Sequence, residues 1–330
     1  MEVTISNTIQ DVDEKEWELL VGTDRVDGSH SWFRTVEESG YRDMRYALVR
    51  ERKKLVAAAC CRLYNEKLLI RIPLLGVGPV YTKTDEETAM LLQGLEEIRK
   101  KENARGILFF FHDEEELNLI KNVMKGSTVF SMKENTYIDL NFTDFEDYLS
   151  SLNAVARRSI RSTVNKAHRQ QIQPLFSHEF STWKETAHRL QGYLCEEHQD
   201  YSSHLSEQFY EILEKNLKDA AELLILLKDD IALAFALAFN SSSISLYKFG
   251  GVDPEYRKYQ GYFLIYYEGI RKAIERGQKR IYFGPSTYEF KEKIGCKREK
   301  TFGLVKMAHP LLNLMVKCVM TIYNILGRRL

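Results

Sequence analysis

The chain has no surplus of charge of either sign: 47 Lys and Arg stand against 47 Asp and Glu. That balance excludes a globally basic nucleic-acid binder, while leaving room for a local basic patch. Cysteines are few: Cys60, Cys61, Cys195, Cys296 and Cys318. None forms a C-x-x-C pair and none stands at a common zinc spacing from a histidine, so no metal centre is expected. Reduced structural thiols in a cytoplasmic protein are the simplest reading. No window of about 18 residues is apolar and free of charge, which argues against a spanning helix. The opening MEVTISNTIQDVDEKEWELL is acidic and lacks an apolar core, so no signal peptide is expected.

What is present is apolar and aromatic material. Of 330 residues, 44% are hydrophobic and 12% aromatic, enough for large cores and too much for bulk disorder. Domains usually run roughly 100–200 residues, so two are expected.

Two stretches share one pattern. The first runs from RYALVRERKKLVAAACCRLYNEKLLIRIPLLGVGPVY through EETAMLLQGLEEIRKKENARG, ILFFF and EEELNLIKNVM to STVFSMKENTYIDL. The second runs from ELLILLKDDIALAFALAFNSSSISLYKFGGV through GYFLIYYEGIRKAIERGQKR, IYF and YEFKEKI to CKREKTFGLVKM. Each reads as strand, turn, Ala-rich strand, turn, strand, loop, long helix, strand, short helix, final strand. The RKK and KDD turns fit hairpins. This order predicts α/β units with mixed sheets, antiparallel first and then with a helical crossover. Two short helices, around EKEWELL and SWFRTVEES, precede the first unit. The expected division is residues 1–142 as a first unit that serves as scaffold, 143–220 as a helical linker, and 221–330 as the unit with the cleft.

Four places suit chemistry. From Tyr148 to His178 there is no acid, but Arg157, Arg158 and Arg161 fall three or four apart on a helix. Such a stripe suits bidentate grip on phosphate; a solvated face paired with acids from elsewhere is the alternative. In GGVDPEYRKYQGYF a strand gives way to a helix starting near Gly261, where free N–H groups suit a pyrophosphate and Lys258 stands close. A glycine kept for packing is the alternative. Glu197 and His198, in EEHQDY, suit a general base for an amine, or simply the polar end of a surface helix. In GPSTYEFKEKIGC, Tyr288 and Lys291 lie three apart and share a helix face just after a strand end. There Lys291 suits an anion and Tyr288 a proton donor; a surface lysine on an amphipathic turn is the alternative. Phe249, Gly250, Gly284 and Ser286, at the ends of the same strands, are the expected walls of a substrate cleft. The matching place in the first unit, FFFHDEEELNL, has His112 where Gly284 stands, so the fold does not demand Gly-Pro or Tyr-x-x-Lys there.

The second unit resembles the FemAB-type, GNAT-like acyltransferases. The resemblance rests on Ala273 to Gly277, Phe283-Gly284, and Tyr288, Lys291 and Gly295. It rests also on the basic segment from Arg157 through Ile160 and Arg161 to Lys166-Ala167, and on Phe33, Glu37, Ser39 and Gly40. Lys258-Tyr-Gln-Gly261-Tyr-Phe263 departs from the superfamily's donor-loop pattern, with Phe263 in place of a small residue. The resemblance implies tandem GNAT-like domains and transfer of an acyl group to an amine-bearing acceptor. Acyl-CoA or aminoacyl-tRNA would be the phosphate-bearing co-substrate, held by the arginine stripe, Lys258 and Gly261. A catalytically inactive binding or scaffold protein on the same fold is the alternative.

The tail PLLNLMVKCVMTIYNILGRRL is too short to span a bilayer. Asn313, Lys317, Thr321 and Asn324 form one polar stripe on an otherwise apolar helix. Residues 310–330 therefore suit either peripheral contact with the inner face of a membrane or docking on the protein or a second subunit.

Overall fold

The computed structural model describes residues 1–67, 71–112 and 114–326. The elements follow in chain order. β1 (Glu2–Ser6), α1 (Glu14–Val21) and α2 (His30–Glu38) lead into β2 (Arg45–Glu51), β3 (Lys54–Lys67), β4 (Arg71–Tyr81), α3 (Asp85–Lys101), β5 (Gly106–Phe111), α4 (Glu114–Val123) and β6 (Thr128–Ser131). After β7 (Asn135–Asp139) come α5 (Phe145–Ser151), α6 (Ala154–Arg169), β8 (Gln173–Ser177), α7 (Phe180–His198) and α8 (Glu207–Leu217). The second unit holds β9 (Ala221–Lys228), β10 (Ile231–Asn240), β11 (Ile244–Val252), α9 (Gly261–Glu275), β12 (Arg280–Tyr282), α10 (Tyr288–Lys293), β13 (Lys297–Glu299) and β14 (Phe302–Met307). It closes with α11 (Pro310–Leu326).

The repeat is visible in the turns. Arg52 and Lys53 join β2 to β3 with φ of 47° and 72°, and Asp229 and Asp230 join β9 to β10 with 48° and 62°. Positive φ at both central residues is the twist that a two-residue hairpin requires. In each unit the third strand then runs parallel to the one beyond the long helix: β4 with β5, and β11 with β12.

The sheets do not divide where the sequence suggested. The first has the order β1-β2-β3-β4-β5-β14-β6, the second β13-β7-β12-β11-β10-β9-β8. Each sheet thus takes the last strand of the other unit between its own final two. A boundary at 142 separates β7 from the sheet it pairs in, and the range 221–330 includes β14, which completes the first sheet. The nominal linker also supplies an edge strand, β8, paired with β9. The exchange follows from short connections: 132–134 joins β6 to β7, and 300–301 joins β13 to β14. The two cross each other, with the Met132 N–H donating to the Thr301 carbonyl (3.0 Å) and the Thr301 hydroxyl to the Lys133 carbonyl (2.9 Å).

One core ties the units together. α1, α2, α7 and α8 place Trp17, Trp32, Phe33, Phe209 and Tyr210 against Tyr46 of the first sheet and Phe235 and Phe239 of the second. Trp32 meets Phe239 at 5.0 Å and Phe209 at 6.0 Å between ring centroids. Truncating an aromatic of this kind costs about 3–5 kcal/mol. The two sheets are therefore held as one body by packing as well as by exchanged strands.

Candidate functional site

β11 and β12 pair only over Ile244–Leu246 and Arg280–Tyr282. Beyond that point β11 continues through Tyr247–Val252, while β12 ends and the chain turns away at Gly284-Pro285. The gap between the parting strands opens into a cavity of about 850 Å³. The carboxyl ends of diverging parallel strands are where α/β sheets place ligands. β11 is bulged at this point. Leu237 opposes Phe249 and Ala238 opposes Tyr247, so Lys248 is the extra residue and faces the cavity. Gly251 lets β11 pass close under α7: a Cβ there would lie 2.1 Å from the Leu190 carbonyl oxygen. The crossing connections add Met132, Lys133 and Thr301 to the lining, and the segment between α1 and α2 adds Arg25 and Asp27.

Lys291 lies in the wall of this cavity with 1% of its surface exposed. The turn before α10 sets it there, with φ of 71° at Gly284, 95° at Ser286 and 46° at Thr287. Two non-glycine residues in the left-handed region store strain beside the cavity. The Lys291 ammonium donates to the carbonyls of Phe283 (2.9 Å) and Gly284 (3.0 Å). An ammonium has three N–H donors, so these two bonds leave one for a ligand. Burial pushes the Lys291 pKa down to about 8. The Tyr262 hydroxyl shares hydrogen bonds with Tyr266 (3.0 Å) and Thr287 (2.9 Å), forming a polar rim on the same wall.

On the opposite side, Asp27 accepts from Lys248 (2.9 Å) and from the Arg25 guanidinium (3.0 and 3.2 Å). Burial alone would raise the Asp27 carboxyl, but Lys248 and Arg25 outweigh it and hold it well below the usual carboxylate range. His112, at the end of β5, also lines the cavity; burial, aided by Arg25, pushes its pKa down to about 4. Its imidazole is therefore neutral at ordinary pH.

Of the residues singled out from sequence, Lys291, His198, Phe249, Gly250, Gly284 and Ser286 line the cavity together. The others do not. Tyr288 leaves the face of Lys291: its hydroxyl donates to the Glu134 carbonyl (2.9 Å), and Arg298 lies over its ring. Glu197 is paired with Arg257 (2.6 Å) at the surface. Gly261 starts α9, but a Cβ there would meet the Ala234 side chain at 3.0 Å, so the glycine serves packing against β10. Phe263 packs on Phe290 at 4.8 Å, and Lys258 lies over the Tyr259 ring. The stretch 253–261 gives the cavity no lining. α6 packs through Ile160 and Ala167 into the core beneath α9. Its Arg157 reaches the carbonyls of Ser150 and Leu152, Arg161 pairs with Glu146, and Arg158 is exposed. Sequence reasoning missed Arg25, Asp27, Lys248 and the role of His112. Only Lys248 left a signal, as a charge inside the otherwise apolar strand LYKFGG. Among the described residues no group of three or more His, Cys, Asp or Glu gathers as a metal site.

A sequence model of the FemAB-like family, described as peptidoglycan biosynthesis/recognition, matches residues 58–321. The chain belongs to the FemAB-like family. Solved structures agree with its fold. FemX superposes with a TM-score of 0.67 at 14% identity, covering 96% of this chain and 100% of its own. The C-terminal domain of a putative lysylphosphatidylglycerol synthetase from Agrobacterium fabrum gives 0.62 at 14% identity, with 94% and 96% covered. A tandem GNAT protein from the clavulanic acid biosynthesis pathway gives 0.57 at 10% identity, with 94% and 99% covered. No curated protein matches the sequence. The FemAB-like chain thus has a tandem GNAT-like fold whose two units exchange strands at the cavity.

Proposed function

We propose that this FemAB-like chain transfers an acyl or aminoacyl group to an amine in the cavity between β11 and β12. The observation that carries the reading is the buried Lys291, which keeps one N–H beyond its two carbonyl bonds in the strained wall of the cavity. The acceptor amine attacks the donor carbonyl carbon. A C–N bond forms, the donor's C–O or C–S bond breaks, and the amine proton passes through a base to the departing oxygen or sulfur. Lys291 is assigned to the oxyanion that develops on the carbonyl oxygen, where a preorganised donor in a water-poor site acts most strongly. His112, held neutral, is assigned the proton, with His198 as the other imidazole of the lining. Glu197 and Tyr288 have no part in it. Lys248 and Arg25, sharing one carboxylate, leave net positive charge for an anionic group of donor or acceptor.

The donor is an aminoacyl-tRNA or an acyl-CoA. The departure of Lys258-Tyr-Gln-Gly261-Tyr-Phe263 from the superfamily's donor-loop pattern favours the aminoacyl ester over acyl-CoA. The exposed Arg158, flanked by Arg157 and Arg161, suits the phosphates of a donor large enough to reach beyond the cavity. Both donors are cytoplasmic, which is the location proposed. Among the described residues no helix is long and apolar enough to cross a membrane. A second reading, a non-catalytic binder on this fold, draws on Phe263, which fills the donor-loop position by packing on Phe290. Mass spectrometry of whatever the purified chain retains separates the two. An acyl-bearing ester or thioester supports transfer; a retained ligand with no acyl group supports the binder.

A further inference from the structure

The C-terminal helix turns its two asparagines toward the protein, while Lys317 and Thr321 stay exposed. Asn313 accepts from the Met307 N–H (2.9 Å) and donates to the Gly126 carbonyl (2.9 Å). Asn324 accepts from the Ser131 N–H and donates to the Val129 carbonyl, both at 3.2 Å. Ser131 and Val129 belong to β6, the outer strand of the first sheet, so Asn324 satisfies that free edge as a neighbouring strand would. Leu312 and Val316 pack on the small cluster of Leu74, Leu108, Val305 and Met307. The helix is thereby fixed in rotation. What it turns outward is Leu311 (67% exposed), Leu314 (59%), Met315 (61%), Ile322 (57%) and the thiol of Cys318. These positions recur at three- and four-residue steps and make one apolar stripe.

We infer that α11 is a docking face for an anionic bilayer surface. The charge carried by its own stretch of sequence is of one sign. From Lys300 to the end of the chain there are three lysines and two arginines and no acid. Lys317 stands on the helix itself; Arg328 and Arg329 follow it in sequence, outside the described residues. An apolar stripe with Lys317 beside it and no acid on the helix fits a helix lying in the headgroup region, with its apolar side chains about 5–10 Å into the boundary and its lysine on anionic phosphates. A second copy of the chain fits less well. The helix is roughly 25 Å long and about 10 Å wide, a footprint on the order of 250 Å², against about 800 Å² per partner in a stable interface. Tyr323, on the flank of the same helix, lines the cavity, so a bilayer held here lies beside the cavity mouth. The inference stands whether or not the cavity is catalytic.

The test is flotation of the full chain with vesicles of phosphatidylglycerol and phosphatidylcholine, and with vesicles of phosphatidylcholine alone. Wild type is expected to float with the anionic vesicles, less with the neutral ones, and less again in high salt. The double substitution Leu314→Ser and Met315→Ser changes only exposed side chains, so the thermal midpoint should hold while vesicle affinity falls on the order of a hundredfold. No flotation, or flotation indifferent to the substitutions, overturns the inference. So does a wild-type dimer in sedimentation that the substitutions convert to monomer without any vesicle binding; that result assigns the stripe to a second copy.

Discussion

Replacing Lys291 by methionine keeps most of its unbranched apolar stem and removes its charge. Burial lowers the Lys291 pKa from 10.5 to about 8. At 1.36 kcal/mol per pH unit, this corresponds to about 3 kcal/mol against the charged form in the folded state. The direction follows from proton binding. Between pH 8 and 10.5 the unfolded chain holds the proton more tightly than the folded one, so stability rises with pH across that window. Below pH 8 the penalty is fully present; above 10.5 it is gone. The methionine variant carries no such penalty. Urea unfolding of both proteins at pH 7, 9 and 10.5 should therefore show wild type gaining about 3 kcal/mol relative to the variant as pH rises. Activity should move the other way, with kcat/KM falling about 100- to 1,000-fold, the usual cost of removing one oxyanion donor. A variant that is as active as wild type, or stability curves that run parallel through the window, would refute the reasoning about this lysine.

Asp27→Asn leaves Arg25 and Lys248 facing each other without their shared carboxylate. The ion pairs are partly exposed at Arg25 and Lys248, so the change should cost about 1–3 kcal/mol in chemical denaturation, and Asp27→Ala should cost no less. If His112 takes the amine proton, the acidic limb of the pH–kcat/KM profile should lie near 4, where burial has moved its pKa. The His112→Gln substitution should abolish that limb, and a limb near 6.5 would point to another histidine. Gly251→Ala puts a methyl 2.1 Å from the Leu190 carbonyl oxygen. Strand or helix must shift, so the thermal midpoint should drop by several degrees, about 1–3 kcal/mol by the overpacking rule; an unchanged midpoint would show that α7 yields freely.

The internal repeat was legible because apolar period, paired turns and alanine strands are local properties. Val56–Cys61 and Ala232–Phe239 declare strands wherever they pack. Which sheet a strand joins is not local. TYIDL and FGLVKM read as the last strands of their own units, and only the crossing of Met132–Lys133 with Thr301 sends each to the other sheet. The cavity shows the same limit. Lys291 and Gly284 were legible because a turn, a strand end and a short helix lie together in sequence. Asp27 meets Lys248 across 221 residues of separation, and no pattern in either segment announces the other. The arginine stripe was read over an acid-free window starting at Tyr148, and the acid that pairs with Arg161 is Glu146, two residues before it. The rotation of the tail helix was not legible for a related reason: Asn313 and Asn324 bond backbone groups of Gly126, Val129, Ser131 and Met307, and nothing in the tail's own sequence names those partners.

The claim at the centre is that the cavity between β11 and β12 receives an acyl donor at Lys291. Titration of wild type and Lys291→Met with acetyl-CoA by calorimetry, and with aminoacyl-tRNA by filter binding, tests it most directly. Wild type is expected to bind one donor, aminoacyl-tRNA in preference to acetyl-CoA, and the variant to bind it about equally while single-turnover transfer falls about 100- to 1,000-fold, because Lys291 acts on the developing oxyanion. Binding of neither donor by wild type, or transfer by the variant at the wild-type rate, would contradict the claim.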